Sequence, residues 1–261
     1  MMQVKHFTVA ALCLAAGAAA AQSAPPPAPA QAPVAQAAAN PVAPGAIQAL
    51  KNMGAYLQTL RRFQVTTEVT GERVLADGQK LQHGARAVLD VARPDKLRAV
   101  MSTGRSEREL FYNGSVATLY TASQKSYSSV EMSGKLTEFV ERLQQRYGIE
   151  VPLSDLFLWG TPAAPFDKIE SAMNAGQDYV DGVLCDHYAF RQGKLDWQLW
   201  IATGAQPLPC KLVITNRADE ARPQSVSRIR WNLKPTFKDS VFTFVPPKGV
   251  TKAQIVPLKK P

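Results

Sequence analysis

Alternation of apolar and polar residues over the last third of the chain is the feature that most constrains its fold. Residues 183–202, 207–215, 226–233 and 240–249 predict successive antiparallel strands, the first range being a hairpin. Every second residue of one strand is apolar, and the next strand continues the pattern: Leu195, Trp197, Leu199 and Ile201, then Leu212 and Ile214. A period of two gives a sheet one apolar face and one wetter face. Because the apolar face needs a cover, the sequence predicts a sheet that holds or hides something apolar.

The first 21 residues have the pattern of a secretory signal peptide. Lys5 and His6 precede an apolar run from Phe7 to Ala20, and small residues lead to a cleavage site between Ala21 and Gln22. The apolar run is too short for a good membrane span, which needs about 20 residues. We therefore expect an exported protein that resides in the periplasm after cleavage.

Residues 22–44 form a segment rich in Pro, Ala and Gln, without charge and without periodicity. Such a segment cannot bury enough apolar surface to offset the entropy of ordering it, so we expect a disordered tether. Residues 45–261 contain neither an internal repeat nor a second linker. They are expected to form one domain.

The chain is basic, with a formal net charge of +9, and loss of Lys5 with the signal peptide leaves +8. The basic residues are scattered and form no dense cluster or aromatic-basic motif, so we expect no nucleic-acid partner. A basic surface can face anionic lipid or an acidic envelope protein. A generally solvated basic surface explains the same charge.

Two cysteines, Cys185 and Cys210, lie outside the predicted signal peptide. An even pair in an exported protein invites a disulfide. However, a turn at Gln192-Gly193 places Cys185 opposite Trp200, with the two cysteine strands on either side of the Trp200 strand, about 10 Å apart. A disulfide needs Cα atoms within about 7 Å. Since alternation also assigns the cysteines to opposite faces, we expect them not to pair.

Changes of period along residues 45–261 predict a helix, about six strands, two helices, and four or five further strands. The first helix ends near Leu60. Hairpin turns are predicted at residues 76–78 and at Asn113-Gly114. A sheet of about ten strands curls or closes. We therefore expect an α+β, mainly β, fold in which a curled antiparallel sheet forms an incomplete β-barrel with covering helices.

The longer of the two middle helices has a clear apolar stripe. The stripe consists of Leu136, Phe139, Val140, Leu143 and Tyr147. Ser133 is expected to cap this helix and Gly148 to end it, and a short helix is predicted over residues 153–159. Because the apolar stripes must be buried, the helices are expected on the concave face of the sheet, as a plug that fills the core or as a lid over a cavity.

Several stretches resemble an exported family, domain of unknown function 2092. They are CDHYAFRQGKLDWQLWIATGAQPLPCKLVIT, YNGSVATLYTASQKSYSSV and RLQQRYGIEVPLSDLFLWG, and the resemblance runs from about Gly45 to Pro257. More distantly, the order of elements resembles periplasmic lipoprotein carriers and outer-membrane lipoprotein receptors (the LolA/LolB-like superfamily). That resemblance implies an incomplete β-barrel wrapped over helices, with an apolar cavity for acyl chains. The same group includes a stress-sensing regulator that binds an anti-sigma factor.

Asp186 and His187 are the nearest approach to catalytic chemistry. Neighbouring residues of a strand point to opposite faces, so these two side chains cannot form an acid–base pair. His187 is expected on the wetter face near Gln198 and Asp196. Asp186 falls on the apolar face, so either it lies at the open rim of the barrel or the assumed register is wrong there. No nucleophile elbow, P-loop, zinc-protease or dinucleotide motif appears. Outside the predicted signal peptide the two histidines, His83 and His187, are scattered and predict no metal site. We expect neither a cofactor nor enzymatic activity.

The favoured hypothesis is a protein that binds an apolar ligand, such as a lipid or the acyl chain of a lipoprotein, on the concave face. The expected lining residues are Leu97, Met101, Leu136, Phe139, Leu143, Leu195, Trp197, Leu199, Ile201, Leu212 and Ile214. Trp159 is expected at the cavity mouth. The alternative is a non-catalytic envelope module for protein interaction or stress sensing, in which the same apolar pattern fills a core.

Overall fold

One twelve-stranded sheet dominates residues 41–258, the part of the chain that the computed structural model describes. The predicted signal peptide and residues 22–40 of the predicted tether lie outside the described residues. The strands are β1 (Arg62–Val74), β2 (Lys80–Ala92), β3 (Lys96–Ser102), β4 (Glu107–Tyr112), β5 (Val116–Thr121), β6 (Ser126–Glu131), β7 (Ser171–Val180), β8 (Val183–Gln192), β9 (Leu195–Ala202), β10 (Pro209–Asn216), β11 (Gln224–Asn232) and β12 (Thr251–Lys252). The helices are α1 (Pro44–Thr59), α2 (Leu136–Tyr147) and α3 (Asp155–Leu158).

The sheet has the strand order β12-β6-β5-β4-β3-β2-β1-β11-β10-β9-β8-β7. Successive strands from β1 to β6 form one meander, successive strands from β7 to β11 form another, and the two meet where β1 pairs antiparallel with β11. The short β12 pairs parallel with β6. The sheet curls but leaves two edges, β12 and β7. The predicted mainly β fold, an incompletely closed barrel with covering helices, is confirmed.

The main core lies between the concave face of the sheet and the helices. Leu50 and Met53 of α1 and Phe139 of α2 are completely buried. Phe139 stacks on Tyr112 of β4, with the ring centroids 3.8 Å apart and the ring planes 4° apart. A buried aromatic pair of this kind adds to the stabilisation from area burial alone. Both helices therefore fill the barrel as a plug.

The predicted helix boundaries are mostly confirmed. Helix α1 begins at Pro44, where the missing N–H costs nothing, and Gly148 ends α2 in the left-handed conformation (φ 65°). The expected cap at Ser133 is wrong, because Lys135 occupies that position and no side chain caps α2. The fold also begins before residue 45, since the amide of Ala43 donates to the carbonyl of Ala172. None of the helices within residues 41–258 is long and apolar enough to cross a membrane.

The predicted strand over residues 240–249 is wrong. Both edges of β11 are already occupied, by β1 and β10, so the chain that leaves it cannot pair with β11 and joins the sheet only at the far edge, where β12 pairs with β6. Residues 234–252, which we call the C-terminal strap, instead run over the convex face. Phe244 of the strap contacts the rings of Phe111, Tyr120 and Tyr127 at centroid distances of 5.3, 5.4 and 4.9 Å. The strap therefore buries aromatic side chains on the convex face of the sheet, which the alternation had predicted to be solvent-exposed.

A second small core lies on the convex face of β8, β9 and β10. It consists of Val180, Cys185, Trp200, Cys210 and Val213. The turn between β8 and β9 lies at residues 193–194, so Cys185 pairs with Ala202 and not with Trp200. An irregularity between Pro209 and Lys211 then turns Cys210 to the same face as Cys185. The assignment of the two cysteines to opposite faces is therefore wrong, although both thiols are free in this structure.

Candidate functional site

The residues expected to line a ligand cavity divide into two groups. Six of them are at most 4% exposed and belong to the filled core: Leu97, Leu136, Phe139, Leu143, Leu199 and Ile201. The other five line two separate cavities on the concave face. Leu195, Trp197, Leu212 and Ile214 line one of these cavities, and Met101 lines the other.

The first cavity, which we call the α3 cavity, has a volume of about 120 Å³. Its walls are Asp155, Trp159, Pro165, Phe166, Gln192, Leu195, Trp197, Leu212 and Ile214. Trp159, expected at a cavity mouth, is among them. The floor is β9 and β10, and the roof is α3 with the turn that follows it.

Strand register brings the floor residues together. Trp197 of β9 pairs with Ile214 of β10, and Leu199 pairs with Leu212, so the alternate residues of both strands share the concave face. Phe190 of β8 stacks on Trp197 with centroids 4.0 Å apart. This ring contact supports one side of Trp197 and leaves its half-buried remainder to the cavity.

Residues 148–166, which we call the cover segment, close the concave face between α2 and β7. The side-chain amide of Gln58 donates to the carbonyl of Trp159 at 2.6 Å. Gly54 of α1 and Gly160 approach so closely that a Cβ atom on Gly54 would lie 2.5 Å from the nitrogen of Gly160. On the sheet side, Gln192 donates to the carbonyl of Pro165 at 3.0 Å. The cover segment is thus attached to both α1 and β8.

Arg93 supports the cover segment from the β2–β3 turn. Its guanidinium donates to the carbonyl of Leu156 and to Gln58, each at 3.3 Å, and lies 5.8 Å from the ring centroid of Phe157. No ion pair involves Arg93 within the described residues. Burial lowers the pKa of Arg93, and the charge of Arg61 adds to that effect. The guanidinium of Arg93 therefore donates hydrogen bonds to carbonyl oxygens and lies near an aromatic ring instead of pairing with a carboxylate.

Asp155 places a carboxyl group in the wall of the α3 cavity. Burial raises the pKa of this carboxyl, and a hydrogen bond from its own backbone amide opposes that shift. The side chain is nevertheless exposed. Both observations agree if the cavity gives access to the carboxyl while protein surrounds it on the other sides. Asp155 is thus an accessible acid in a wall that is otherwise largely apolar.

The second cavity, which we call the β3–β5 cavity, has a volume of about 270 Å³. Its walls are Ala99, Met101, Arg108, Leu110, Leu119, Gly148, Ile149, Glu150 and Pro152. Residues 148–152 belong to the cover segment, so this segment closes both cavities. In contrast to the α3 cavity, the β3–β5 cavity carries charges of both signs, on Arg108 and Glu150.

Asp186 and His187 lie apart from both cavities. His187 hydrogen-bonds Gln198 at 3.0 Å, as expected, and stacks on Trp200 with centroids 3.9 Å apart. The expected neighbour Asp196 instead pairs with Arg191 at 2.7 Å. Asp186 accepts a hydrogen bond from Gln177 of the edge strand β7. Each side chain has a structural partner, and the two do not act together.

Sequence reasoning missed Asp155, Pro165, Phe166 and Gln192 as members of the site. The one available signal was Asp155, a lone acid in the apolar stretch LSDLFLWG. Pro165 and Phe166 follow a loop, and loops carry no periodic pattern from which a facing direction can be predicted. Together with the strand residues predicted from alternation and Trp159, these four residues complete the lining of the α3 cavity.

The chain belongs to the family DUF2092, described as a predicted periplasmic protein, whose model matches residues 46–256. This match confirms the resemblance and the expected periplasmic location. No curated protein matches the sequence.

Solved structures with a similar course of the chain include two mycobacterial proteins and a LolA superfamily protein. The Mycobacterium tuberculosis lipoprotein LppX is 12% identical, with 74% of this chain and 98% of that chain covered and a TM-score of 0.46. LprF from Mycobacterium bovis is 12% identical, with 76% and 97% covered and a TM-score of 0.44. The LolA superfamily protein from Nitrosomonas europaea is 10% identical, with 76% and 97% covered and a TM-score of 0.31.

Proposed function

We propose that this periplasmic protein binds an apolar chain in the α3 cavity and acts as a binding protein, not as an enzyme. The observation that carries the proposal is the exposed apolar surface inside the barrel. Leu195 is 41% exposed, and Trp197 and Ile214 are only half-buried, although all three lie on the covered face. An apolar concave site with few polar groups is the usual form of a small-molecule site.

The size of the cavities determines how such a ligand enters. Typical ligand pockets occupy about 300–1,000 Å³, whereas the α3 cavity has about 120 Å³ and the β3–β5 cavity about 270 Å³. The α3 cavity therefore accepts the end of a chain without change, and a longer chain requires the cover segment to move. The contact between Gln192 and Pro165 is the polar contact that such a movement must break at the α3 cavity.

Burial of a chain provides a moderate affinity. Each buried methylene contributes about 0.8 kcal/mol. Eight buried methylenes would therefore contribute about 6 kcal/mol before the cost of moving the cover segment, which corresponds to a Kd between about 1 mM and 1 μM. An affinity in this range suits a carrier that must release its ligand.

The test is native mass spectrometry of the mature protein purified from periplasm, followed by lipid extraction after denaturation. We expect a lipid or acyl chain bound in a fixed ratio. Ile214→Trp fills the α3 cavity and should abolish binding, whereas Met101→Trp, in the β3–β5 cavity, should not. Leu81→Trp, at an exposed position of β2, is the matched control. An apo mass, with no uptake of added fatty alcohol, fatty amine or phospholipid, would exclude the proposal.

A second candidate function, docking of an envelope protein, is favoured by the edge strand β7. Residues 174–179 are all exposed, Tyr179 at 70%, and the bridge from Val42 to Ala172 lies at the start of β7, before this stretch. An open edge of this kind accepts a strand from another chain. A photocrosslinking amino acid at position 179 should capture one specific protein in cells, whereas the same group at Leu81 should not. Identical products from both positions, or none, would count against docking.

A further inference from the structure

Asp155 is the only ionisable side chain among the nine residues that line the α3 cavity. The elements packed against it, namely β9, β10 and residues 159–166, present to the cavity apolar side chains and two indole rings, and β8 adds the uncharged Gln192. No cationic side chain lines this cavity. The polar character of the site is therefore set by one carboxyl group.

The carboxyl of Asp155 has no partner on another residue within the described part of the chain. No ion pair or side-chain hydrogen bond engages it, and its own backbone amide is the only donor that acts on it. The side-chain amide of Gln192, which also lines the cavity, already donates to the carbonyl of Pro165. Because the side chain is exposed to the cavity, water and not a protein group solvates this carboxylate. A ligand group that donates hydrogen bonds can replace that water.

Charge decides which groups fit beside Asp155. In a cavity of low polarity, an opposite charge nearby stabilises a carboxylate and a like charge destabilises it. An ammonium group therefore gains both a charge interaction and hydrogen bonds, a hydroxyl gains hydrogen bonds alone, and a carboxylate is repelled. The basic exterior of the protein acts at longer range and does not reach this wall, because charges on a solvated surface are screened within about 10 Å.

From this arrangement we propose that the α3 cavity selects amphiphiles whose chain ends in a hydrogen-bond donor, an ammonium group above all, and excludes free fatty acids. The inference rests on the proposed function, since it names the ligand class of the same cavity. Asp155 is the residue that determines this specificity, and the apolar floor supplies the affinity.

The experiment compares three probes of equal chain length, dodecylamine, dodecanol and dodecanoate, with the mature protein at neutral pH. Trp159 and Trp197 in the cavity wall make tryptophan fluorescence a direct reporter, and calorimetry gives the Kd. We expect dodecylammonium to bind about tenfold more tightly than dodecanoate, with dodecanol between them. Asp155→Asn should bring the ammonium and carboxylate affinities within about twofold of each other and leave dodecanol unchanged. Asp167→Asn removes the same charge at an exposed neighbour and should change none of the three.

A pH titration of the unaltered protein gives a second measurement that does not depend on the folding of a variant. Because burial raises the pKa of Asp155, the preference for ammonium should disappear as the pH falls through that raised pKa, earlier than for an ordinary aspartate. Dodecanol binding with no preference for ammonium, or a preference that Asp155→Asn retains, would overturn the inference and leave apolar binding intact. Binding of none of the three probes would overturn both.

Discussion

Cys185 and Cys210 show how position within the sheet controls the chemistry of a side chain. Burial raises the pKa of both thiols, and for Cys185 the neighbouring Cys210 raises it further. A thiol reacts with alkylating agents as its thiolate, which a raised pKa makes scarce. We expect iodoacetamide to leave both cysteines unmodified in the folded protein at mildly alkaline pH and to modify both after denaturation, as measured by mass spectrometry.

An added cysteine provides the control for that experiment. Val183 lies two residues before Cys185 on the same strand and is 45% exposed. Val183→Cys should be alkylated in the folded protein while Cys185 remains protected. Rapid labelling of Cys185 or Cys210 without denaturant would show that the second core opens.

Asp239 fastens the C-terminal strap to the sheet by accepting hydrogen bonds from Lys96 and Arg62, each at 2.7 Å. These contacts, with Lys96 first, lower the pKa of Asp239. A folded-state pKa below the unfolded value means that the stabilisation is present above the unfolded pKa and is lost as the pH falls through the folded pKa. Asp239→Asn should therefore lower the Tm slightly at neutral pH, and the difference should vanish in strong acid.

The effect at Asp239 should also weaken with salt, because the carboxylate is 59% exposed and such pairs are screened. Asp167→Asn, at an exposed aspartate outside these pairs, serves as the control and should show neither the Tm difference nor its dependence on pH. A Tm difference at Asp239 that persists below the folded pKa would contradict the ion-pair explanation.

At the residue scale, alternation predicted the direction of side chains wherever the strands are regular. Leu195, Trp197, Leu212 and Ile214 were placed on the correct face because β9 and β10 pair without interruption between them. Cys210 was misplaced because the irregularity beside it adds one residue, which reverses every facing direction beyond it. The exposure of Asp155 to the cavity could not be predicted, since it depends on the surrounding loops, whose sequence has no hydrophobic periodicity.

The contact between α1 and the cover segment requires glycine. A Cβ atom on Gly54 would lie 2.5 Å from the nitrogen of Gly160 and 2.8 Å from its Cα, whereas one on Gly45 of the same helix would meet no atom within 4 Å. Alanine gains up to about 1 kcal/mol of helix propensity at either position, but overpacking costs about 1–3 kcal/mol. Gly54→Ala should lower the free energy of unfolding by about 1 kcal/mol, and Gly45→Ala should not lower it. Urea denaturation of both variants would decide this, and equal stabilities would mean that the cover segment yields at no cost.

Beyond the buried Phe242, the strap is held to the convex face by one aromatic side chain among exposed neighbours. Phe244 contacts three rings of the convex face, whereas the next residue, Val245, is 78% exposed. Phe244→Ser should release the strap and make it sensitive to limited proteolysis, with fragments that end after β11. Val245→Ser should leave the proteolysis pattern unchanged. Equal resistance of both variants would show that the buried Phe242 and the ion pairs of Asp239 suffice to hold the strap.

At the element scale, sequence reasoning succeeded where a period was strong and failed at β7 and in the strap. Residues 171–178 form most of β7, yet they mix polar, small and apolar side chains without alternation, and only Ala172 of this stretch is buried. Residues 240–249 do alternate, with Phe242 buried and Phe244 half-buried, but they pack on a sheet instead of joining it. A period of two shows only that one side of the chain is buried and the other is exposed. An extended segment that packs on a sheet has this pattern just as a hydrogen-bonded strand does.

For the whole molecule, the sequence left open whether the helices form a plug or a lid. The structure assigns the two roles to different segments: α1 and α2 fill the core, and residues 148–166 close the cavities. Sequence alone could not separate these roles, because a residue that lines a cavity and one that fills a core have the same apolar character. The volume left between elements depends on the packing of all of them together.

The position of β1 has a consequence for how the newly exported chain folds. This strand lies between β2, its immediate successor, and β11, and the contact of Glu68 with Arg230 joins residues 162 positions apart. A chain that crosses the inner membrane from its N-terminus can assemble β1 to β6 early, but one edge of β1 must wait until β11 has emerged. During that interval the unfinished half-sheet presents bare hydrogen-bonding groups and an uncovered apolar interior, which is the condition under which nascent chains aggregate. The same strand that unites the finished barrel therefore leaves the emerging chain prone to aggregation until β11 arrives.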